Sequence, residues 1–269
     1  MIQLDDEILR KLQLVELELL TEVDRICREN NIEYSLDGGT LLGAVRHQGF
    51  IPWDDDADVM MTRVEYEKFY NVCKNQLDSK KFFLQEFRTD KEYRWGYSKL
   101  RKNNTVFLRE GQEKIKCHTG VCIDIFIFDE VPDNFFMRRL HWVQCFIIRK
   151  GLYSVVGEDK EKKLWARMVY TIMSKFPRDF WTKWLLHLAQ KEENKNRKLV
   201  SHLTYPNRKE IRYGVSKDYY NQYVDLMFEG KEFRAIKEYK RYLAELFDDY
   251  MLMPPIEKRK IHPVSKLKL

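Results

Sequence analysis

The stretch "YSLDGGTLLGAVRHQGFIPWDDDADVMM", Tyr34 to Met61, sets a glycine pair between a strand-like and a helix-like run and then crowds four aspartates into five positions. Two unit charges roughly 4 Å apart repel by about 4 kcal/mol at an effective dielectric of about 20. Asp54, Asp55, Asp56 and Asp58 therefore require water, a cation or raised pKa values. Phe50, Ile51, Pro52 and Trp53 lead in, and Val59, Met60 and Met61 follow, which argues against plain solvation. Side chains of an extended segment alternate faces, so Asp54, Asp56 and Asp58 line one side while Asp55 points away. Converging carboxylates suit a hard divalent cation, and magnesium is usually held by one or two of them together with substrate phosphates. Asp124, in the apolar strand "VCIDIFIF", is the best further carboxylate, because a bare charge there is costly without a hydrogen bond or a metal.

Gly38-Gly39-Thr40 lies between a strand expected at 33–37 and a helix over "TLLGAVRH", with Thr40 near the N-cap. Backbone N–H groups and a helix N-terminus in that geometry can hold phosphate. One element grips phosphate and the other supplies the metal that neutralises it. An acidic surface turn is the plain alternative. Calcium is a sharper one, since Asp54, Asp56, Asp58 and Glu65 match positions of an EF-hand loop, but Val59 stands where that loop needs glycine. A D-x-D motif also serves metal-dependent glycosyltransferases, although no nucleotide-binding βαβ unit precedes it here.

The 269 residues suffice for one substantial core, or a core with an added subdomain. With 33% charged and 44% hydrophobic residues the composition is that of an ordinary globular protein, and the net charge of +6 favours anionic partners. The first residues lack the signal-peptide pattern and no run approaches a membrane span, so a cytoplasmic protein is expected. Cys27, Cys73, Cys117, Cys122 and Cys145 form no C-x-x-C pair, which speaks against a disulfide framework or structural zinc. The basic residues are dispersed and no nucleic-acid module accompanies them.

Apolar residues spaced by three and four predict a long amphipathic helix over 5–29, closed by Asn30-Asn31. "DADVMM" resumes an extended conformation and "VEYEKFYNVCKNQL" returns to helix. Strands are expected at "FFLQEF", "WGYSKLRK" and "VCIDIFIF". The segment 134–202 mixes tryptophans, aliphatics and basic residues at helical spacing and reads as a helical insert. It divides a core of 1–133 from a part, 203–269, that completes it and carries a helix around 236–250.

"LDGGTLLGAVRHQGFIPWDDDADV", "YSKLRKNNTVF", "VCIDIFIFDEVP" and "LFDDYMLMPPIEKRKIHP" together resemble the LicD family of phosphocholine transferases, relatives of fukutin and fukutin-related protein. The resemblance implies an α/β (α+β) nucleotidyltransferase-like fold, a mixed sheet flanked by helices. It also implies transfer of phosphocholine from CDP-choline to a sugar hydroxyl of a teichoic acid or lipopolysaccharide precursor, with release of CMP. Other CDP-alcohols, of ethanolamine, ribitol or glycerol, are the near alternatives. Carried over by position, the G-G-T turn falls on Gly38, Gly39 and Thr40. The metal carboxylates fall on Asp56, Asp58 and Asp124, with magnesium or manganese as the ion, and Asp54 is a further family acid.

Positioning and charge neutralisation dominate such transfers. Lys99 and Arg101, at alternate positions of one strand, would add positive charge, and Lys258, Arg259 and His262 would close over nucleotide or acceptor. Choline has no N–H to donate, so aromatic faces are its natural receptor, and Trp53, Tyr93, Trp95 and Tyr97 are the candidates. The tryptophan- and lysine-rich insert could rest on the inner face of a membrane and meet a lipid-linked glycopolymer acceptor.

Overall fold

In a computed structural model, residues 4–193, 195–205, 213–259 and 261–269 are described, Lys258 by its backbone alone. The chain opens with α1 (Asp6–Glu29), whose N-cap Asp5 accepts the Ile8 amide. Leu9, Leu12, Leu19, Leu20, Val23 and Ile26 make its buried stripe. Asn30 caps its end and Asn31 adopts a left-handed φ of 53°, so the chain stops at the expected asparagine pair. There follow β1 (Ser35–Leu36), α2 (Gly38–His47), β2 (Asp58–Thr62) and α3 (Arg63–Gln76). Next come β3 (Phe82–Gln85), β4 (Ser98–Lys102), β5 (Val106–Arg109) and the long β6 (Cys122–Val131).

The main sheet is mixed, with the order β1-β2-β6-β4-β3. β6 is its axis: it runs parallel to β2 and antiparallel to β4, and it is apolar because both faces are covered. Three helices, α4 (Phe135–Lys160), α5 (Leu164–Ser174) and α6 (Arg178–Glu192), separate β6 from β7 (Leu199–His202). β7 pairs antiparallel with the far end of β6, and β8 (Val215–Ser216) pairs with β7, giving seven strands. The last four residues of the segment 134–202 thus belong to the sheet. This α+β architecture, a mixed sheet flanked by helices, is the nucleotidyltransferase-like fold that the sequence led us to expect.

Two ribbons complete the chain. β9 (Tyr223–Phe228) and β10 (Lys231–Ile236) form a hairpin, and α7 (Tyr239–Phe247) is shorter at both ends than the helix expected over 236–250, whose first residue, Ile236, closes β10. β11 (Val264–Lys268) pairs antiparallel with β5, which returns the end of the chain to the aspartate loop. The main core joins α1, α2, α3 and the sheet. A second apolar cluster, around Ile148, Leu152, Trp181, Leu185 and Leu188, holds α4 against α6. All five cysteines are free.

Candidate active site

The glycine turn and the aspartates meet directly. Asp37, rather than Thr40, is the N-cap of α2: its Oδ1 accepts the Gly38 amide at 2.8 Å and the Tyr242 hydroxyl at 2.7 Å. Thr40 lies inside the helix, where its Oγ1 accepts the Asp58 amide at 2.8 Å and so ties α2 to β2. Gly38 has a φ of +50°, and a Cβ on it would stand 3.4 Å from Asp58 Oδ2. On Gly39 a Cβ would come within 2.6 Å of Asp54 Oδ2. Gly38 is glycine because its backbone is left-handed, and Gly39 because the Asp54 carboxylate lies against it.

Behind the turn runs a row of charge across three strands. Asp58 is the Cα partner of Asp124 in the parallel β2–β6 pair, and Asp124 is the partner of Lys99 in the antiparallel β6–β4 pair. Lys99 Nζ makes a buried ion pair with Asp124 Oδ1. Arg109, at the end of β5, reaches Asp56 Oδ2 at 3.2 Å. Asp55 is buried and accepts both the backbone amide and the Nδ1 of His262 at 3.0 Å, and because Asp56 Oδ2 lies 3.6 Å from the same Nδ1, Asp55 meets Asp56 there rather than pointing away from it as alternation predicts. Among the described residues, Asp55, Asp56 and His262 are the group whose three ligand atoms lie mutually within 4.8 Å, whereas Asp56, Asp58 and Asp124 are less tightly gathered.

The electrostatics separate these acids. Burial, reinforced by Asp56 and Asp55, pushes the Asp54 carboxyl up to about 8. Burial and the surrounding Asp56, Asp124, Asp37 and Asp54 hold Asp58 well above the usual carboxylate range. Asp56 is also raised by burial, opposed by Arg109 and His262. Asp124 goes the other way: burial works against its charge, but Lys99 and Arg109 outweigh it and hold the carboxyl below its ordinary value. The site therefore contains one matched carboxylate, Asp124, and three crowded ones lacking sufficient positive charge. Such a set fits a hard cation with oxygen ligands.

Several residues expected at the site have other partners. Arg101 is buried, and its guanidinium donates to Gln85 Oε1 and to the Gly120 carbonyl. Tyr93 and Tyr97 are core residues, and Tyr97 packs against Phe126, His202 and Tyr205 at 5.1 to 5.7 Å. Lys99 Nζ lies 5.0 Å from the Tyr97 ring centre. Trp95 faces a separate cavity between β4 and α4. Trp53 is half-buried beside Asp54, and the Arg259 guanidinium lies 4.1 Å from its ring centre. The Lys258 side chain lies outside the described residues.

Sequence reasoning missed Arg109, Asp37 and Glu16. Glu16 projects from α1, is buried with Oε2 unpaired, and is pushed well up by burial and by Asp56 and its neighbours. Its signal was legible as a carboxylate inside the apolar stripe of α1. Gln13, on the same stripe, donates to the Asp54 carbonyl at 3.0 Å and braces the loop.

Residues 31–148, which hold this whole constellation except Glu16, Gln13 and the last segment, match the family profile described as LicD/FKTN/FKRP, nucleotidyltransferase domain. Over that span the chain is similar to the LicD family. Individual proteins extend the likeness unevenly. The lipopolysaccharide cholinephosphotransferase LicD of Haemophilus influenzae is 29% identical over 279 aligned positions, 96% of this chain and 97% of that one. An uncharacterized protein of Rickettsia typhi is 32% identical over 118 residues, 44% of this chain and 30% of its own. Another from Rickettsia prowazekii is 38% identical over 76 residues, 21% of this chain and 29% of its own.

Proposed function

We propose that this transferase moves phosphocholine from CDP-choline to a sugar hydroxyl of a cell-surface glycopolymer precursor, of teichoic acid or lipopolysaccharide type, and releases CMP. The observation that carries the reading is the close approach of the Gly38-Gly39 backbone to Asp54 and Asp58, in line with Asp124 and Lys99. The Haemophilus relative, a cholinephosphotransferase similar over nearly the full length of both chains, supports the group transferred.

Asp56 and Asp58, with Asp124 beside them, would hold magnesium or manganese, which when bound supplies Lewis-acid neutralisation of the diphosphate. The protein's own part is positioning. The turn at Gly38-Gly39 seats the Asp54 and Asp58 carboxylates against its backbone, which sets the acids that would hold the ion beside the place of the diphosphate. Arg109 and Lys99 bring positive charge beside the carboxylates, so an anionic donor enters a site that is not wholly repulsive. Trp53, whose face already accommodates the Arg259 cation, is the aromatic surface suited to the choline trimethylammonium.

No helix among the described residues is long and apolar enough to cross a membrane. α4 and α5 nevertheless expose Phe136 (78%), Leu164 (76%), Trp165 (68%) and Met168 (67%). Residues 135–178 carry ten basic and three acidic side chains, a net +7 beside the whole chain's +6. An apolar face with a basic surround fits peripheral contact with an anionic bilayer, at the inner face of the cell membrane where a lipid-linked acceptor would be met.

The test is CMP release from CDP-choline by the purified full chain, with and without magnesium, against CDP-ethanolamine and a UDP-sugar as donors. Magnesium-dependent turnover of CDP-choline is expected. UDP release from the UDP-sugar without CMP from CDP-choline would overturn the reading in favour of a glycosyltransferase.

A further inference from the structure

A cavity of about 340 Å³ opens beside the carboxylate centre, in the size range of small-ligand sites. Its walls are Arg94 to Gly96 ahead of β4, Arg149 to Tyr153 on α4, Tyr170 on α5 and Thr204-Tyr205 after β7. Tyr205 is the partition. Its ring packs 5.5 Å from that of Tyr97, which lies beside Lys99, and both Arg149 and Asp124 act on its hydroxyl.

The cavity is cationic. Arg94 donates to the Leu152 carbonyl at 3.0 Å, Lys150 to the Tyr170 hydroxyl at 3.0 Å, and the Arg149 guanidinium lies 5.4 Å from the Tyr205 ring centre. None of the three has a carboxylate partner among the described residues, and Glu161 is the single acid in the wall. Thr204 is 1% exposed and its hydroxyl has no hydrogen-bond partner among the described residues. Unpaired cations and an orphaned hydroxyl beside Trp95 and Tyr205 describe a receptor for an anion attached to a flat, polar ring face.

Each part of the donor is a poor occupant. The choline end is itself a cation and is repelled, the cytosine is neutral, and the diphosphate belongs at the glycine turn. We propose that this cavity seats a phosphorylated sugar of the acceptor, with its phosphate against Arg149 and Lys150 and its ring on Trp95 and Tyr205. The inference rests on the transferase reading and adds the acceptor's charge to it. It also assigns acceptor choice to α4 and α5, two of the helices that separate β6 from β7.

The experiment is calorimetric titration of the full chain with glucose 6-phosphate, with glucose and inorganic phosphate as separate arms and CDP-choline titrated in parallel. Glucose 6-phosphate should bind at least about tenfold more tightly than either arm, and lose about tenfold in Arg149→Gln/Lys150→Gln. Arg149→Lys, which keeps the charge, should retain binding, and CDP-choline affinity should be unchanged in all variants. Glucose binding as well as its phosphate would overturn the anionic subsite, and so would weak or absent binding of glucose 6-phosphate. Equal binding of inorganic phosphate would reduce the cavity to an ion site without sugar recognition. Loss of CDP-choline affinity in the double variant would give the cavity to the donor. Absence of CDP-choline binding by the wild type would instead remove the donor reading, leaving the sugar-phosphate result to stand or fall by itself.

Discussion

Asp58 and Asp124 are direct Cα partners on the parallel strands β2 and β6, yet their carboxyls are driven in opposite directions. Burial among other acids raises Asp58, while Lys99 and Arg109 overcome burial to lower Asp124. The two positions therefore differ in what mutation does to stability, although both should matter for catalysis.

Asp58→Asn relieves a crowded, buried acid and should leave stability unchanged or improved in metal-free protein, while reducing transfer to background. Asp124→Asn should cost about 3 to 5 kcal/mol, because it strands the buried Lys99 ammonium without its partner. Thermal unfolding beside CMP release separates the two. Equal stability losses in both variants would show that the row is not electrostatically divided.

The glycine pair makes a steric prediction. Gly39→Ala puts a methyl 2.6 Å from Asp54 Oδ2, so the carboxylate must swing away. Because the obstacle is the end of a side chain, stability should fall by no more than about 1 to 2 kcal/mol. Transfer should fall far more, by about 100-fold, since small displacements of a positioned group are costly to catalysis. Kinetics of the variant at saturating magnesium check this, and near wild-type kcat would detach Asp54 from the reaction.

A pH dependence follows from His202, buried on β7 among Tyr97, Phe126, Phe128 and Tyr205. Its Nδ1 accepts the Tyr205 amide at 2.8 Å and its Nε2 has no hydrogen-bond partner among the described residues, so the protonated ring gains no hydrogen bond there. Burial, helped by Arg63 and opposed by Asp124, lowers its pKa to about 3 from 6.5. The unfolded chain then binds the extra proton first as pH falls. His202 contributes no penalty above pH 6.5 and costs up to about 1.4 kcal/mol of stability per pH unit below it, until the folded ring titrates near 3. Urea unfolding between pH 4 and 7 should show this slope in the wild type and a shallower one in His202→Gln. Identical slopes would mean the ring is hydrated in the folded state.

Much of this was legible in the sequence where local pattern and local structure coincide. The α1 stripe, the Asn30-Asn31 stop and the apolar β6 follow from periodicity and capping, and the crowded aspartates announced themselves by charge alone. Residues whose role depends on distant pairing were not legible. Arg109 reads as an ordinary strand end until β11 draws β5 toward Asp56, and β7 hides inside a helical segment because its four residues gain a sheet only by pairing with β6. Arg101 shares a face with Lys99, as alternation requires, and its charge helps to lower Asp124, but its guanidinium donates to Gln85 and Gly120, partners that strand periodicity cannot reveal.

The exposed face of α4 and α5 gives a final prediction. Trp165 and Met168 lie three residues apart on α5, both well exposed, with Lys162, Lys163 and Arg167 close by in sequence. Hydrophobic insertion and attraction to anionic lipid would act together there, each basic residue near the surface adding about 1 kcal/mol. Full-length protein should float with vesicles containing phosphatidylglycerol at low salt, and less so as salt screens the basic side chains. Trp165→Glu/Met168→Glu should abolish flotation while leaving the unfolding temperature nearly unchanged, because neither side chain packs into a core. Charge reversal at Lys163 and Arg167 alone should weaken flotation only at low salt. Flotation independent of both substitutions would place the contact elsewhere on the chain, and no flotation at low salt would remove the membrane from the acceptor's route to the site.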